Sequence, residues 1–105
     1  MLEDTSVTFA MTQSAEEKLG ERLRQITKFR AVPGLLLGRE RGDDRERWMV
    51  GFYDEAVVLG SNFHAAKIYI GSGRYLVVPQ LHLVSGLDGK ELHWDGTTFL
   101  VRDMA

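Results

Sequence analysis

The sequence contains no cysteine, and that absence removes disulfide frameworks, thiolate nucleophiles, Cys-ligated zinc and cysteine-held iron–sulfur clusters. Long hydrophobic runs are also missing. The longest apolar stretches, around Val32 to Leu37 and Tyr75 to Pro79, fall far short of the roughly 20 residues a spanning helix requires. Neither sign of charge is in excess: 13 Lys and Arg stand against 15 Asp and Glu, a formal net charge of −2. Nothing in that balance draws the chain toward phosphate backbones or anionic lipid. No basic residue precedes Lys18 and no apolar segment lies before it, so the start does not read as a secretory leader. These absences predict a soluble, cytoplasmic protein whose partners are neither nucleic acid nor membrane.

What remains is a globular composition. With 44% hydrophobic and 27% charged residues in 105, the chain is expected to fold as one domain over residues 1–105. Val7, Phe9 and Met11 alternate with Ser6, Thr8 and Ala10, which suits a short edge strand. The period then changes. Thr12 and Ser14 are both good N-cap residues, and Glu17 follows Ser14 at capping-box spacing. Ala15, Leu19, Leu23 and Ile26 form an apolar helical stripe, and Val32-Pro33-Gly34 stops any continuation.

Beyond Gly34 the pattern is extended. Leu35–Leu37, Trp48–Tyr53, Ala56–Leu59, Lys67–Ile70 and Tyr75–Val78 are candidate strands separated by Gly, Asn, Asp or Ser. The charged stretch Arg39–Arg47 reads as a hairpin tip, because an even loop pairs Arg41 with Glu46 and Glu40 with Arg47. That register also sets Arg39 across from Trp48, where a guanidinium can lie over the indole. Asp95-Gly96 is a two-residue turn signal between Glu91–Trp94 and Thr97–Val101. Pro79 to Gly89 suits a short helical turn or an irregular crossover ending in the Asp88-Gly89 turn. The fold class expected is α+β, with one main N-terminal helix on a curved, mostly antiparallel or mixed sheet.

Chemistry-bearing groups are few. His64, His82 and His93 are the side chains that titrate near neutral pH, but their spacing matches no ligand motif. Gly71-Ser72-Gly73 opens like a dinucleotide fingerprint, yet the strand-like Tyr75–Val78 follows instead of a helix, so a tight turn is expected. No serine sits in a nucleophile elbow. Asp54 and Glu55 are adjacent, and neighbours on a strand face opposite ways, which makes them turn residues and not an acid–base pair. Phe63, Tyr69, Tyr75 and Trp94 are aromatics that could line a groove or fill the core.

Several strings taken in order resemble the HesB-like domain of A-type iron–sulfur carriers. They are Val7-Thr8-Phe9 with Met11-Thr12-Gln13-Ser14-Ala15, Gly34-Leu35-Leu36-Leu37-Gly38, Val50 to Glu55, Tyr75 to Gln80, and Leu87-Asp88-Gly89-Lys90-Glu91-Leu92-His93-Trp94. The resemblance covers about residues 7–101 and implies that family's fold. Its function rests on three cysteines, one at the first hairpin tip and two in a Cys-Gly-Cys tail. Here the tip reads Gly42-Asp43-Asp44-Arg45 and neither cysteine set is present, so no ligand position carries over and no cofactor is expected.

The reading that follows is a non-catalytic binding or interaction module, with a homodimer or another protein as partner. Two alternatives stay open. One is a metal-binding protein in which His64, His82 or His93 joins Asp88 or Asp95. The other is a small enzyme pairing a His with a carboxylate.

Overall fold

The structure, a computed structural model, describes residues 1–71 and 73–104. Its elements run β1 (Leu2–Asp4), β2 (Phe9–Met11), α1 (Gln13–Gln25), β3 (Ala31–Arg39), β4 (Glu46–Asp54), α2 (Glu55–Val58), β5 (Ala65–Tyr69), β6 (Tyr75–Val78), a 3-10 helix (Leu81–Leu87), β7 (Lys90–Trp94) and β8 (Phe99–Asp103). The protein is α+β with mixed sheets. The strands divide between a five-stranded sheet, ordered β1-β5-β6-β3-β4, and a three-stranded sheet, ordered β2-β7-β8. One helix on a single sheet is therefore too simple a description, since a second sheet, α2 and the 3-10 helix complete the enclosure.

Helix α1 begins where the side chains compel it. Thr12 is the N-cap, its hydroxyl accepting from the Ala15 amide at 3.3 Å, which satisfies one of the donors a helix start leaves unpaired. Ala15 and Leu19 are buried, while Leu23 and Ile26 are half-buried, so the expected stripe faces inward. The core joins these to Phe9, Leu35, Ile68, Leu76, Val78, Leu87 and Leu92, drawn from both sheets and the 3-10 helix. A smaller cluster of Val32, Val58, Ala65 and Val77 lies apart from it, with Tyr53, Phe63 and Tyr75 packed around.

Strand β2 pairs parallel with β7 at the edge of its sheet, as the alternation at Val7–Met11 suggests. Strand β3 reaches back through Pro33 to Ala31, so the Val32-Pro33-Gly34 segment is itself strand. Leu2–Asp4, pairing parallel with β5, has no counterpart in the sequence reading.

Three local expectations are corrected. Ala56–Leu59 is not a strand: Asp54 accepts from the Ala56 amide at 3.0 Å and caps α2, leaving Val58 buried with Val57 and Leu59 exposed. In the β3–β4 hairpin Arg39 faces Glu46 and Leu37 faces Trp48, two residues from the expected register. The longer loop is closed by the Asp43 amide donating to the Glu40 carbonyl at 3.0 Å and by the Arg45 amide donating to the Asp43 carboxylate at 2.9 Å. Glu40 and Arg47 still form an ion pair, but Arg41 has no strand partner at Glu46 and Arg39 does not lie opposite Trp48.

In the last hairpin Trp94 faces Phe99, so the loop spans Asp95 to Thr98 and is not a two-residue turn. The Asp95 carboxylate accepts from the Thr97 and Thr98 amides, each at 2.8 Å, and Gly96 takes a φ of 98°. This register sets Glu91 against Arg102 at 2.8 Å and Lys90 against Asp103, and the Trp94 and Phe99 rings meet edge to face at 4.9 Å. The Gly71–Gly73 segment turns as expected, with the Arg74 amide donating to the Gly71 carbonyl at 3.0 Å; its central Ser72 lies outside the described residues.

Candidate functional site

A concavity of about 240 Å³ lies between α1 and the neighbouring starts of β3 and β6. Its floor is apolar: Leu19 and Leu23 come from the inward face of α1, Val32 and Pro33 from β3, and Ile70 from the end of β5. Four polar side chains converge on it, Arg30, Glu55, Arg74 and Tyr75. Local backbone geometry explains their meeting. The Glu55 amide donates to the Arg30 carbonyl at 2.9 Å where β4 hands over to α2, which brings Glu55 Oε1 to 3.2 Å from Arg30 Nε. Across the cleft, Arg74 precedes β6 and donates to Glu16 in the first turn of α1 at 2.8 Å.

Tyr75 is the most perturbed of these groups. Burial raises its pKa above the ordinary phenol value, and the negative charge of Glu55 raises it further, against smaller opposing effects of Lys67 and Arg30. The phenol therefore stays protonated at neutral pH and offers its O–H as a donor. The Lys67 ammonium sits 4.7 Å from both the Tyr75 and the Tyr69 ring centres. Hydrogen bonding to Tyr69 is the main cause that raises the Lys67 pKa.

A second concavity of about 240 Å³ lies between the hairpin tips, walled by Trp48, Trp94 and Phe99. Here the Trp94 and Phe99 rings already have the chain's own cations over them. Lys18 lies 5.0 Å from the Trp94 ring, and Arg22 lies 5.3 Å from both Trp94 and Phe99. A ligand would have to displace these cations to stack. Of the aromatics singled out in the sequence, Tyr75 enters the first cleft and Trp94 the second. Phe63 packs edge to face on Tyr53 at 6.0 Å, and Tyr69 is exposed.

The expected ligand residues scatter into structural roles. Asp88 accepts from the Thr8 amide at 2.8 Å, and Asp95 caps its turn as described. His64 and His82 are exposed, at the approach to β5 and on the 3-10 helix. His93 reaches the start of α1, with Nδ1 2.9 Å from Thr12 Oγ1 and 3.3 Å from Ser14 Oγ. Only His93 and Asp95 come near one another, the imidazole adding a minor share to the lowering of the Asp95 pKa after the Thr98 and Thr97 amides. Among the described residues no three His, Asp or Glu side chains gather as metal ligands would.

The histidine that comes nearest to catalytic company is tied to the helix start. Ser14 donates to the Trp94 carbonyl at 2.9 Å, so its proton points away from the imidazole. Together with the Thr12 amide donating to the Leu92 carbonyl at 2.9 Å, these bonds fasten α1 to β7.

Sequence reading missed Arg30, Glu55 as a cleft residue, and Arg74. Each lies in a turn or at an element end, and no periodicity marks such positions. No helix among the described residues is long and apolar enough to cross a membrane. No family model matches the chain, and no characterised protein or solved structure is found to be similar to it.

Proposed function

We propose that this chain is a non-catalytic binding module that takes a small molecule in the cleft between α1 and the starts of β3 and β6. One observation carries the reading: Leu19, Leu23, Val32, Pro33 and Ile70 line one cleft together with Arg30, Glu55, Arg74 and Tyr75. Small-molecule sites have this make-up, apolar area for affinity and a few convergent polar groups for orientation. The non-catalytic half of the reading is supported by Tyr75, whose phenol is pushed away from neutrality by burial and then by the Glu55 charge and so is not tuned as a general base near pH 7.

The scaffold half of the proposal is a HesB-like carrier domain without its cysteines. It is supported by element order: β2, α1, Gly34–Gly38 in β3, Val50–Asp54 in β4, β6, the 3-10 helix and the Asp88-Gly89 turn follow the sequence the resemblance implies. Screening a panel of small amphipathic compounds of mixed charge by NMR tests the site. Shifts at Leu23, Ile70 and Tyr75 support the reading. A panel that shifts nothing, or shifts only Trp48 and Phe99, overturns it.

A homodimer is favoured by a separate observation. Strand β4 is nine residues long and has a ladder only with β3, β8 packing near it without one, and a strand edge without a ladder offers one to a second chain. Sedimentation over rising concentration tests it: a species of twice the chain mass supports pairing, and a single-chain mass throughout rejects it.

A further inference from the structure

We infer that the ligand of the α1–β3–β6 cleft is a small organic monoanion, a carboxylate on a short apolar body, and that it binds by exchanging with Glu16 on the Arg74 guanidinium. The inference rests on the binding reading of the same cleft and deepens it by naming the ligand class. Size comes first. A volume of about 240 Å³ has room for about eight non-hydrogen atoms, taking roughly 30 Å³ for each water-sized group. The apolar floor accounts for most of them and asks for a hydrocarbon body.

Charge selects the head group. Two guanidinia and one carboxylate line the cleft; the carboxylate, Glu55, lies 3.2 Å from Arg30 in a pair whose guanidinium is 84% exposed. The Tyr75 hydroxyl, a neutral donor, is directed to the Glu55 carboxylate. A cationic ligand would meet two like charges against a single carboxylate, whereas an anion meets a lining of net positive charge.

Arg74 is the donor with capacity to spare. It touches Glu16 through one terminal nitrogen, Nη2 to Oε1 at 2.8 Å, although a guanidinium offers five N–H groups in a fork that fits a carboxylate with two parallel bonds. The two side chains of this pair are 48% and 51% exposed, and ion pairs that open to water are worth little. Replacing the Glu16 carboxylate by a ligand carboxylate therefore costs little, and the apolar body seated on Leu19, Leu23 and Ile70 supplies the net gain. Glu16, which lines the adjoining concavity on the far side of Arg74, acts as a resident competitor for its guanidinium.

The experiment titrates the intact chain with hexanoate, hexanol and hexylamine, three probes of matched body and different head, followed by NMR and calorimetry. Hexanoate is expected to bind with shifts at Leu23, Ile70 and Arg74, more tightly than hexanol, with hexylamine weakest. Arg74→Gln is expected to weaken hexanoate by roughly threefold to fivefold, the loss of a partly exposed ion pair, and to leave hexanol unchanged. Glu16→Gln is expected to tighten hexanoate by roughly threefold, since it removes the competitor in an exposed pair. Both sites are on the surface, and unchanged far-UV circular dichroism verifies that each variant folds. Hexanol binding as well as hexanoate, or Arg74→Gln retaining full hexanoate affinity, overturns the ligand class while the cleft survives as a site. Failure of all three probes to shift any cleft residue overturns both.

Discussion

The side-chain amide of Gln80 grips the backbone of Leu37 at both ends, accepting from its N–H at 2.7 Å and donating to its carbonyl at 2.9 Å. Strand β6 pairs with β3 only around Gly34 and Val77, so beyond that point Gln80 stands in for the missing strand. Among the described residues no buried side-chain nitrogen or oxygen lacks a partner, and this substitution is one reason why.

Removing that amide should show in stability. Gln80→Ala leaves two half-buried backbone groups without their partner, an expected cost of about 1–3 kcal/mol read as a lower urea midpoint. Gln80→Glu is more discriminating. An ionised carboxylate can accept from Leu37 but meets its carbonyl with repulsion, while a protonated one can donate to it. The variant's deficit should therefore narrow as pH falls through the glutamate range; a deficit independent of pH would contradict the two-ended bond.

Gly34 and Tyr53 make a second tight relationship. Gly34 faces Gly51 across the β3–β4 ladder, and the Tyr53 ring lies over it, so that a Cβ at Gly34 would run into Cε2 and come within 2.9 Å of Cδ2. Gly34→Ala is expected to cost about 1–3 kcal/mol by overpacking. In a Tyr53→Ala background the same substitution should cost less, because the ring it displaces is gone. Equal costs in both backgrounds, measured by denaturant unfolding, would show that the ring is not what excludes the methyl.

These two contacts illustrate which parts of the molecule can be read from the chain. Helix α1 was legible because Thr12 and the Ala15–Leu19–Leu23 stripe are local signals, and β6 because Tyr75–Val78 is a bounded apolar run. Both hairpin registers were off by two residues for one shared reason: an aspartate inside the loop, Asp43 or Asp95, folds its carboxylate onto backbone amides two or three residues on and lengthens the turn. Because the shift is even, every side chain kept its face. The cross-strand pairs Lys90–Asp103 and Glu91–Arg102 were visible in the sequence and would have fixed the last register. The cleft was not legible, since Arg30, Glu55 and Arg74 meet only through the path of the chain between α1, β3 and β6.

That meeting can be checked through Tyr75. Burial is the chief cause of its raised pKa and the Glu55 charge comes next. A phenol whose folded pKa is raised contributes stability that is full below the unfolded value and lost as pH rises through the folded one. In an ultraviolet tyrosinate titration, Glu55→Gln should lower the Tyr75 ionisation toward the ordinary value without reaching it, and Tyr75→Phe should delete that transition. If Glu55→Gln leaves the titration unmoved, the two side chains do not share the cleft.

Asp95 offers the corresponding test at the acid end. Its pKa is held below the usual carboxylate range first by the Thr98 amide and then by the Thr97 amide, the bonds that set the β7–β8 register. A lowered folded pKa stabilises the native state at pH values above the unfolded pKa, and that contribution disappears as pH falls through the folded value. Asp95→Asn keeps an oxygen acceptor for the turn but has no charge to titrate. The wild-type chain should therefore exceed the variant in urea midpoint at neutral pH, and the gap should close on acidification below the carboxylate range. Asp95→Ala lacks the acceptor at every pH and should remain the less stable chain throughout. A gap between wild type and Asp95→Asn that does not change with pH would mean that the carboxylate charge plays no part in holding the turn.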